Sequence, residues 1–597
     1  MLGLPFIFCA ALLLPAAFAL CSTPDRCRCR PHQACWPSVK EWDAFNASVS
    51  GRLIAVSPLG SPCHDPNFDS SICEQLKASV MNSTWRASQP GAVQWYNWES
   101  RPKANESCEI GENREIPCDQ GKVSLYSLIA HSEDQIQQAV RFAQERDIRL
   151  VIRNTGHDFL GRSTAPESLQ IFTHLLKDVA FVENFVPQGS PNDPEGQGPA
   201  VTIGAGVQLA ELYKDLGAKG HMVVGGYSHG VGAAGGYVQG GGHSILGPWK
   251  GMASDNALQF RLITACGDIV IANEYKNQDL FWALRGGGGG TFGVVLDVTL
   301  RAFPDVPIAM ARINVKREVP DEKYWEILRS SLKFLPVISG HGRSGSFTGT
   351  PRAPKIDGSP TTADLTLQFN FVNESSTTEV KRLLAPLTHE LSKISGEALE
   401  ANITTHGTIS EFYASVLGPH DITGAGVFLL SRLISRRFFE SHHGPAKLSD
   451  AITRLGYNSS DTFSVNFVAG DQVARNGAVI DSALNPAWRE ALIHLILLRG
   501  WYGHVSFKEQ KERQDDITYR QEPILKSLEP GRMGVYLNEA NSQEPNFQHE
   551  FWGKNYARLY AIKKRYDPFG LFITRLGVGS ENWDDEGFSF TKKTKGM

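Results

Sequence analysis

Arg153-Asn154-Thr155-Gly156-His157-Asp158-Phe159-Leu160-Gly161-Arg162-Ser163 is the stretch on which the reading of this chain turns. It follows an apolar run at 148–152 with the composition of a buried strand, and it sets one histidine at the tip of a glycine-punctuated turn. Gly156 has no Cβ, so backbone here can approach a ligand closely. Consecutive turn N–H groups form a concavity suited to phosphate oxygens. The His157 imidazole then reaches toward the ligand's reactive end.

Working outward, residues 123–126 read as a strand, and Ile136, Val140 and Phe142 recur at helical spacing. A β-α-β unit therefore runs into the histidine turn. Further strand signals fall at 200–203, 260–265, 269–272 and 293–301, and Pro304 and Pro307 mark a boundary. Three glycine-rich elements accompany the turn, at 204–206, 225–243 and 284–293. None joins a strand to a helix as Gly-x-Gly-x-x-Gly with an acid some twenty residues on, so a nucleotide-fold fingerprint is excluded. There is no Walker lysine, and no Gly-x-Ser-x-Gly for a hydrolase triad. Several glycine runs, each beside a strand, point to ligand loops rather than linkers.

The chain has 597 residues, 41% hydrophobic and 20% charged, with a net charge of −4. That length predicts roughly three to four folded units, and the charge gives no reason to expect nucleic acid as a partner. The apolar start, broken at Pro15 and closing in Ala17-Phe18-Ala19, reads as a signal peptide over 1–19, with an uncleaved anchor as the alternative. No later run is apolar enough to span a bilayer. Cleavage leaves Cys21, Cys27, Cys29, Cys35, Cys63, Cys73, Cys108 and Cys118 crowded before residue 119, an even set that predicts a disulfide-stapled segment of undetermined connectivity. Zinc is the rival reading of Cys27-x-Cys29. Cys266, in a strand-like run, is expected to be a buried thiol. Sequons begin at Asn46, Asn82, Asn105, Asn373, Asn402 and Asn458, candidate glycosylation sites that avoid residues 119–305. The destination expected from these features is the secretory pathway, ending outside the cell or in a lumen such as the vacuole. Residues 20–117 read as irregular, 308–500 as strands (365–371) alternating with amphipathic helices (379–394), and 546–565 as one helix.

The order of 153–163, 235–242, Gly251-Met252-Ala253-Ser254-Asp255-Asn256 and 279–287, followed by Tyr536-Leu537-Asn538-Glu539, Trp552-Gly553-Lys554-Asn555-Tyr556 and Tyr566-Asp567-Pro568, resembles FAD-linked oxidases of the vanillyl-alcohol oxidase type. The berberine-bridge-enzyme-like branch, with the fungal isoamyl alcohol oxidases, is the nearest likeness. The resemblance implies an α+β chain: a PCMH-type FAD-binding domain (119–305) and a separate α+β substrate domain (306–525), an antiparallel sheet covered by helices. The Cys-rich segment (20–118) precedes them, and a C-terminal segment (526–597) returns to the FAD domain. It also implies that His157 bonds covalently to the flavin 8α-methyl carbon. Arg153, Asn154, Thr155, Asp158, Gly156, Gly161 and Ser163 would wrap the pyrophosphate and ring edge, with Gly235, Gly236, Gly240, Gly241 and Gly242 also binding the cofactor. Many relatives add a second link from a cysteine before the double glycine. Here Ser228 or His229 stands there, so one bond, through His157, is expected, with His229 as a possible pocket residue.

Flavin chemistry on an alcohol calls for hydride transfer to N5 and a positioned base for the hydroxyl proton. Read as a strand, 536–539 puts Tyr536 and Asn538 on one face and Glu539 on the other. Tyr536 is therefore the expected base or hydroxyl orienter, with Asn538 as its hydrogen-bonding partner. No metal is expected, since His442-His443 and His420-Asp421 lack a third ligand. The leading expectation is a secreted oxidase that takes hydride from a small-molecule alcohol or secondary-metabolite intermediate and reduces O2 to H2O2. An oxidative cyclase or desaturase, an oxygen-avoiding dehydrogenase and a non-catalytic flavin-binding glycoprotein are the alternatives. The substrate and the oligomeric state are not encoded in any motif.

Overall fold

In the computed structural model, residues 27–591 are described except for 112, 192–194, 319, 354–361, 417 and 419. The expected signal peptide, Cys21 and the tail from 592 lie outside the described residues. The β-α-β unit forms around a helix, Glu133–Glu145, whose start is fixed by Ser132 Oγ accepting the Gln135 N–H at 3.4 Å. Ile136, Ala139, Val140 and Ala143 make one fully buried stripe at helical spacing. The helix connects strands Tyr126–Ile129 and Leu150–Arg153, both parallel to Leu169–Phe172, which lies between them. Leu53–Ala55 extends this sheet antiparallel to Tyr126–Ile129.

That edge strand belongs to the segment read as irregular. The segment also holds helices Val39–Ser48, Ser70–Ser79 and Ser83–Ser88, capped by Ser38, Asp69 and Asn82. They are short, and the first buries just Trp42 and Phe45, so no sustained period marks them in the sequence. Phe45 stacks on Phe142 of the Glu133–Glu145 helix at 4.3 Å between ring centroids. Disulfides join Cys29 to Cys35, Cys63 to Cys73 and Cys108 to Cys118. Cys27 is disulfide-bonded as well, which replaces the zinc reading. Cys266 is half-buried rather than buried.

A second, antiparallel sheet runs Val179–Val182, Ala200–Gly204, Val294–Arg301, Ala257–Ile263, Ile269–Asn273. A third, of seven antiparallel strands, spans 308–501, and helices Glu322–Ile338, Thr377–Ser395 and Gly444–Arg454 pack on one face of it. Along strand Ala491–Trp501, Ile493, Leu495 and Leu497 face those helices. Strand alternation turns His494, Ile496 and Leu498 to the opposite face, where Ile496 and Leu498 meet Trp95 and Trp98. The helix expected over 546–565 is two, Phe547–Trp552 and Tyr556–Tyr566, broken where Gly553 takes φ 51°. Among the described residues no helix is long and apolar enough to cross a membrane. Asn105, Asn373, Asn402 and Asn458 are exposed, whereas Asn46 and Asn82 are half-buried, their side chains accepting backbone N–H groups.

Candidate active site

A cleft opens between the first two sheets, with Ile152 and Thr173 on one side and Ala205 and Val295 on the other. The histidine turn and the three glycine elements line it, and residues from 536–539 and 572–574 complete it. Asn154 spans the sheets, its Nδ2 donating to Ala205 O at 2.6 Å. Within the turn, Asp158 works inward: its carboxylate accepts the N–H groups of Leu160, Arg162 and Ser163. Those donors shape the turn and are not left for phosphate.

Two groups of sequence-predicted residues sit elsewhere than expected. Arg153 points away from the cleft, donating to the carbonyls of Gln89 and Arg86 and lying over the Phe172 ring. It pins the N-terminal segment to the sheet, and burial pushes its guanidinium down to about 9. Gly240, Gly241 and Gly242 are packing positions: a Cβ there would lie 2.4 Å from Asn538, 2.6 Å from Leu484 and 2.7 Å from Ala253. Gly161 likewise packs against the Trp98 ring, 2.4 Å from a would-be Cβ. Gly235 and Gly236 differ, since a Cβ on either meets no protein atom within 4 Å and would project into the cleft. Asn154, Thr155, Gly156, His157, Asp158 and Ser163 line the cleft as expected.

The C-terminal segment ties the glycine elements down. Lys563, buried, donates to Thr291 O and Phe572 O at 2.6 Å and to Asp567 at 2.5 Å. Trp552 Nε1 donates to Gly286 O at 3.0 Å. Asn538 Nδ2 donates to Gly236 O and to the Tyr536 hydroxyl, each at 2.8 Å, while its Oδ1 accepts from Arg162 at 2.9 Å.

Residues 536–539 form a turn, with Glu539 N–H donating to Tyr536 O at 3.0 Å, not a strand. Strand alternation therefore fails, and Tyr536, Asn538 and Glu539 all line the cleft. Glu539 sits between two imidazoles. His243 Nε2 is 3.2 Å from its Oε1, and His494 Nδ1 is 3.4 Å from its Oε2. The three donor atoms lie within 4.8 Å of one another. Burial would raise the Glu539 carboxyl, but the charge and hydrogen bond of His243, with His494 and His157 beyond, hold it below the usual carboxylate value. The Tyr536 phenol moves the other way, pushed up by burial and by Glu539. His494 is fully buried, neither ring nitrogen makes a hydrogen bond, and burial pushes it down to about 3.

His157 stands edge-on to Trp95, with ring centroids 5.9 Å apart at 89°. Its Nε2 is buried without a hydrogen-bond partner, 3.7 Å from Asp421 Oδ2. Asp421 accepts the N–H groups of His229 and Gly230. His229 thus meets Asp421 through its backbone and does not line the cleft. The pairings of Glu539 with His243 and His494, and of His157 with Asp421, were not legible in the sequence, because each closes over a long separation.

A model of the FAD binding domain matches residues 125–273, and one described as "Berberine and berberine like" matches residues 535–579. The chain is 47% identical over 567 residues to an uncharacterized FAD-linked oxidoreductase of Arthroderma benhamiae, covering 94% of this chain and 95% of that protein. It is 42% identical over 561 residues to FAD-linked oxidoreductase malF of Malbranchea aurantiaca, with 94% and 93% covered. The crystal structure of the VAO-type flavoprotein MtVAO615 from Myceliophthora thermophila superposes with a TM-score of 0.84 at 32% identity, over 95% of this chain and 100% of that one. The chain belongs to the vanillyl-alcohol oxidase and berberine-bridge family of FAD-linked oxidoreductases. The cleft fits FAD on its own terms: Gly235 and Gly236 leave open space where side chains would intrude, and His157 holds a buried, unpaired nitrogen beside it.

Proposed function

We propose that this FAD-linked oxidoreductase is a secreted oxidase of a small-molecule alcohol or secondary-metabolite intermediate, with His157 bonded to the flavin and Glu539 as the proton acceptor. FAD, when bound, would supply a two-electron acceptor for the substrate hydride, with O2 as the final oxidant. The protein's part is to position the donor C–H and remove the hydroxyl proton. The observation that carries the reading is the Glu539 carboxylate, kept ionised in the cleft between His243 and His494. A base must be unprotonated at the working pH, and Tyr536, pushed up, is not. The Tyr536 hydroxyl instead suits orienting the substrate hydroxyl, steadied by Asn538. Gly235, Gly236, Asn154 and Thr155 would hold the cofactor against the two sheets. With no cysteine at Ser228 or His229, the attachment is single. The apolar N-terminus, the disulfides and the exposed sequons support passage through the secretory pathway, with glycans on the exposed asparagines.

The test is the visible spectrum of the full-length protein before and after acid precipitation, then oxygen uptake and peroxide release with a panel of primary, secondary and benzylic alcohols. Yellow colour stays in the wild-type pellet and moves to the supernatant in His157→Ala. Flavin lost from wild type to the supernatant sinks the covalent link, and dye reduction without peroxide sinks the oxidase reading.

A further inference from the structure

Asp421 lies between helix Ile409–Val416 and strand Gly426–Ser435, on the substrate side of the chain, yet its carboxylate reaches the histidine turn. The surrounding stretch is stitched to the N-terminal segment: Asp421 N–H donates to Ser83 Oγ at 3.1 Å, Thr423 N–H to Met81 O at 3.0 Å and Gly424 N–H to Gln94 O at 2.8 Å. The carboxylate accepts the His229 N–H at 3.2 Å through Oδ1 and the Gly230 N–H at 2.6 Å through Oδ2. A carboxylate held by two backbone N–H groups, on a segment whose own backbone is so tied down, is fixed in place, and what it is fixed beside is Nε2 of His157, 3.7 Å away. That distance is longer than a hydrogen bond and within ion-pair contact. Burial would lift the Asp421 carboxyl, but His157, the Gly230 N–H and Ser228 hold it well below the usual carboxylate range. An ionised carboxylate therefore faces a buried ring nitrogen that has no other partner.

We propose that Asp421 is the positioning residue for flavin attachment, accepting the Nε2 proton of His157 and so leaving Nδ1 to bond the flavin. This rests on the covalent reading above. The new bond joins Nδ1 to the 8α carbon, and one methyl C–H breaks, its proton leaving and its electron pair remaining on the flavin. A ring alkylated at Nδ1 with Nε2 still protonated is a cation in a buried site, costly without a counter-charge. Asp421 balances that charge and then removes it by taking the Nε2 proton. Dioxygen takes up the electron pair together with the two released protons, which makes one H2O2 and leaves oxidised, attached flavin.

The experiment is intact-mass measurement of denatured wild-type, Asp421→Asn and Asp421→Glu proteins over time after purification with FAD, which reads the covalent adduct without any substrate. Asp421→Asn keeps an oxygen for the backbone N–H groups but not the charge. It is expected to hold FAD that acid releases and to form the adduct about 100-fold more slowly, the lower range for losing a positioned proton acceptor. Asp421→Glu restores the charge and is expected to recover part of the rate. Adduct formation at the wild-type rate in Asp421→Asn overturns the proposal, as does Asp421→Glu no better than Asp421→Asn. Should Asp421→Asn not fold, Asp421→Glu against wild type decides alone: partial adduct supports the assignment, and folded, FAD-loaded protein without adduct overturns it. Wild type without adduct overturns the covalent reading itself, a result distinct from every variant outcome.

Discussion

Glu539 is placed so that one side chain meets two demands of the proposed base: it lines the cleft, and it stays ionised while buried. His243, half-buried, is hydrogen-bonded to it and would relay a proton taken up there. Glu539→Gln keeps the shape and removes the proton acceptor, so flavin reduction by any substrate found in the panel is expected to slow by about 10²–10⁴-fold, read by stopped-flow bleaching of the flavin. Tyr536→Phe should raise KM more than it lowers kcat, as the orienting role proposed for its hydroxyl requires. A Glu539→Gln enzyme reducing flavin as fast as wild type would return the base to Tyr536. Activity lost to a chelator and restored by zinc would make Glu539 and its two histidines metal ligands instead. Strand alternation, the rule available in the sequence, turned Glu539 away from Tyr536 and Asn538; a turn at 536–539 breaks that rule and brings all three to the cleft. His494 was invisible for a different reason. In an apolar strand it looks like a tolerated polar residue, and only the third sheet's packing against the FAD-binding half gives it Glu539 as a neighbour.

The glycine elements were the legible part of the site, because what makes a glycine necessary is local and leaves a local mark. Which glycines face ligand was not legible, since that depends on what packs behind them. The distinction is testable. Gly236→Ala places a methyl in open cleft, so the apoprotein is expected to melt as wild type does while FAD content falls. Gly240→Ala sets a methyl 2.4 Å from Asn538 and should lower stability first. Equal stability and equal flavin content in both variants would refute the division. Lys563 marks how the third element is held. Lys563→Met leaves the Asp567 carboxylate and two carbonyls buried without their donor, and breaking such a pair costs about 3–5 kcal/mol, measurable by denaturant unfolding. A loss under about 1 kcal/mol would mean water replaces the amine.

At the scale of the molecule, buried histidines contribute to the loss of stability in acid. His494, ordinarily near 6.5, is pushed down to about 3 by burial, helped by His243 and opposed by Glu539. Between those values the unfolded chain takes up a proton that the folded chain refuses, so stability falls as pH drops from about 6.5 toward 3, by up to about 1.4 kcal/mol per pH unit for this group. His174, also at about 3, acts in the same direction. His494→Gln should flatten the dependence of melting temperature on pH across that window, and parallel curves for variant and wild type would show that His494 titrates normally. The N-terminal segment and the residues after 535 meet in the fold. Arg28 N–H donates to Phe588 O at 2.7 Å, and the glycine elements are fastened by Asn538, Trp552 and Lys563. During synthesis the sheets that flank the flavin emerge long before the residues that shut them together. Cofactor capture is thereby expected to wait for completion of the chain: a product cut short before residue 536 should purify without yellow colour, so that absorbance would report truncation.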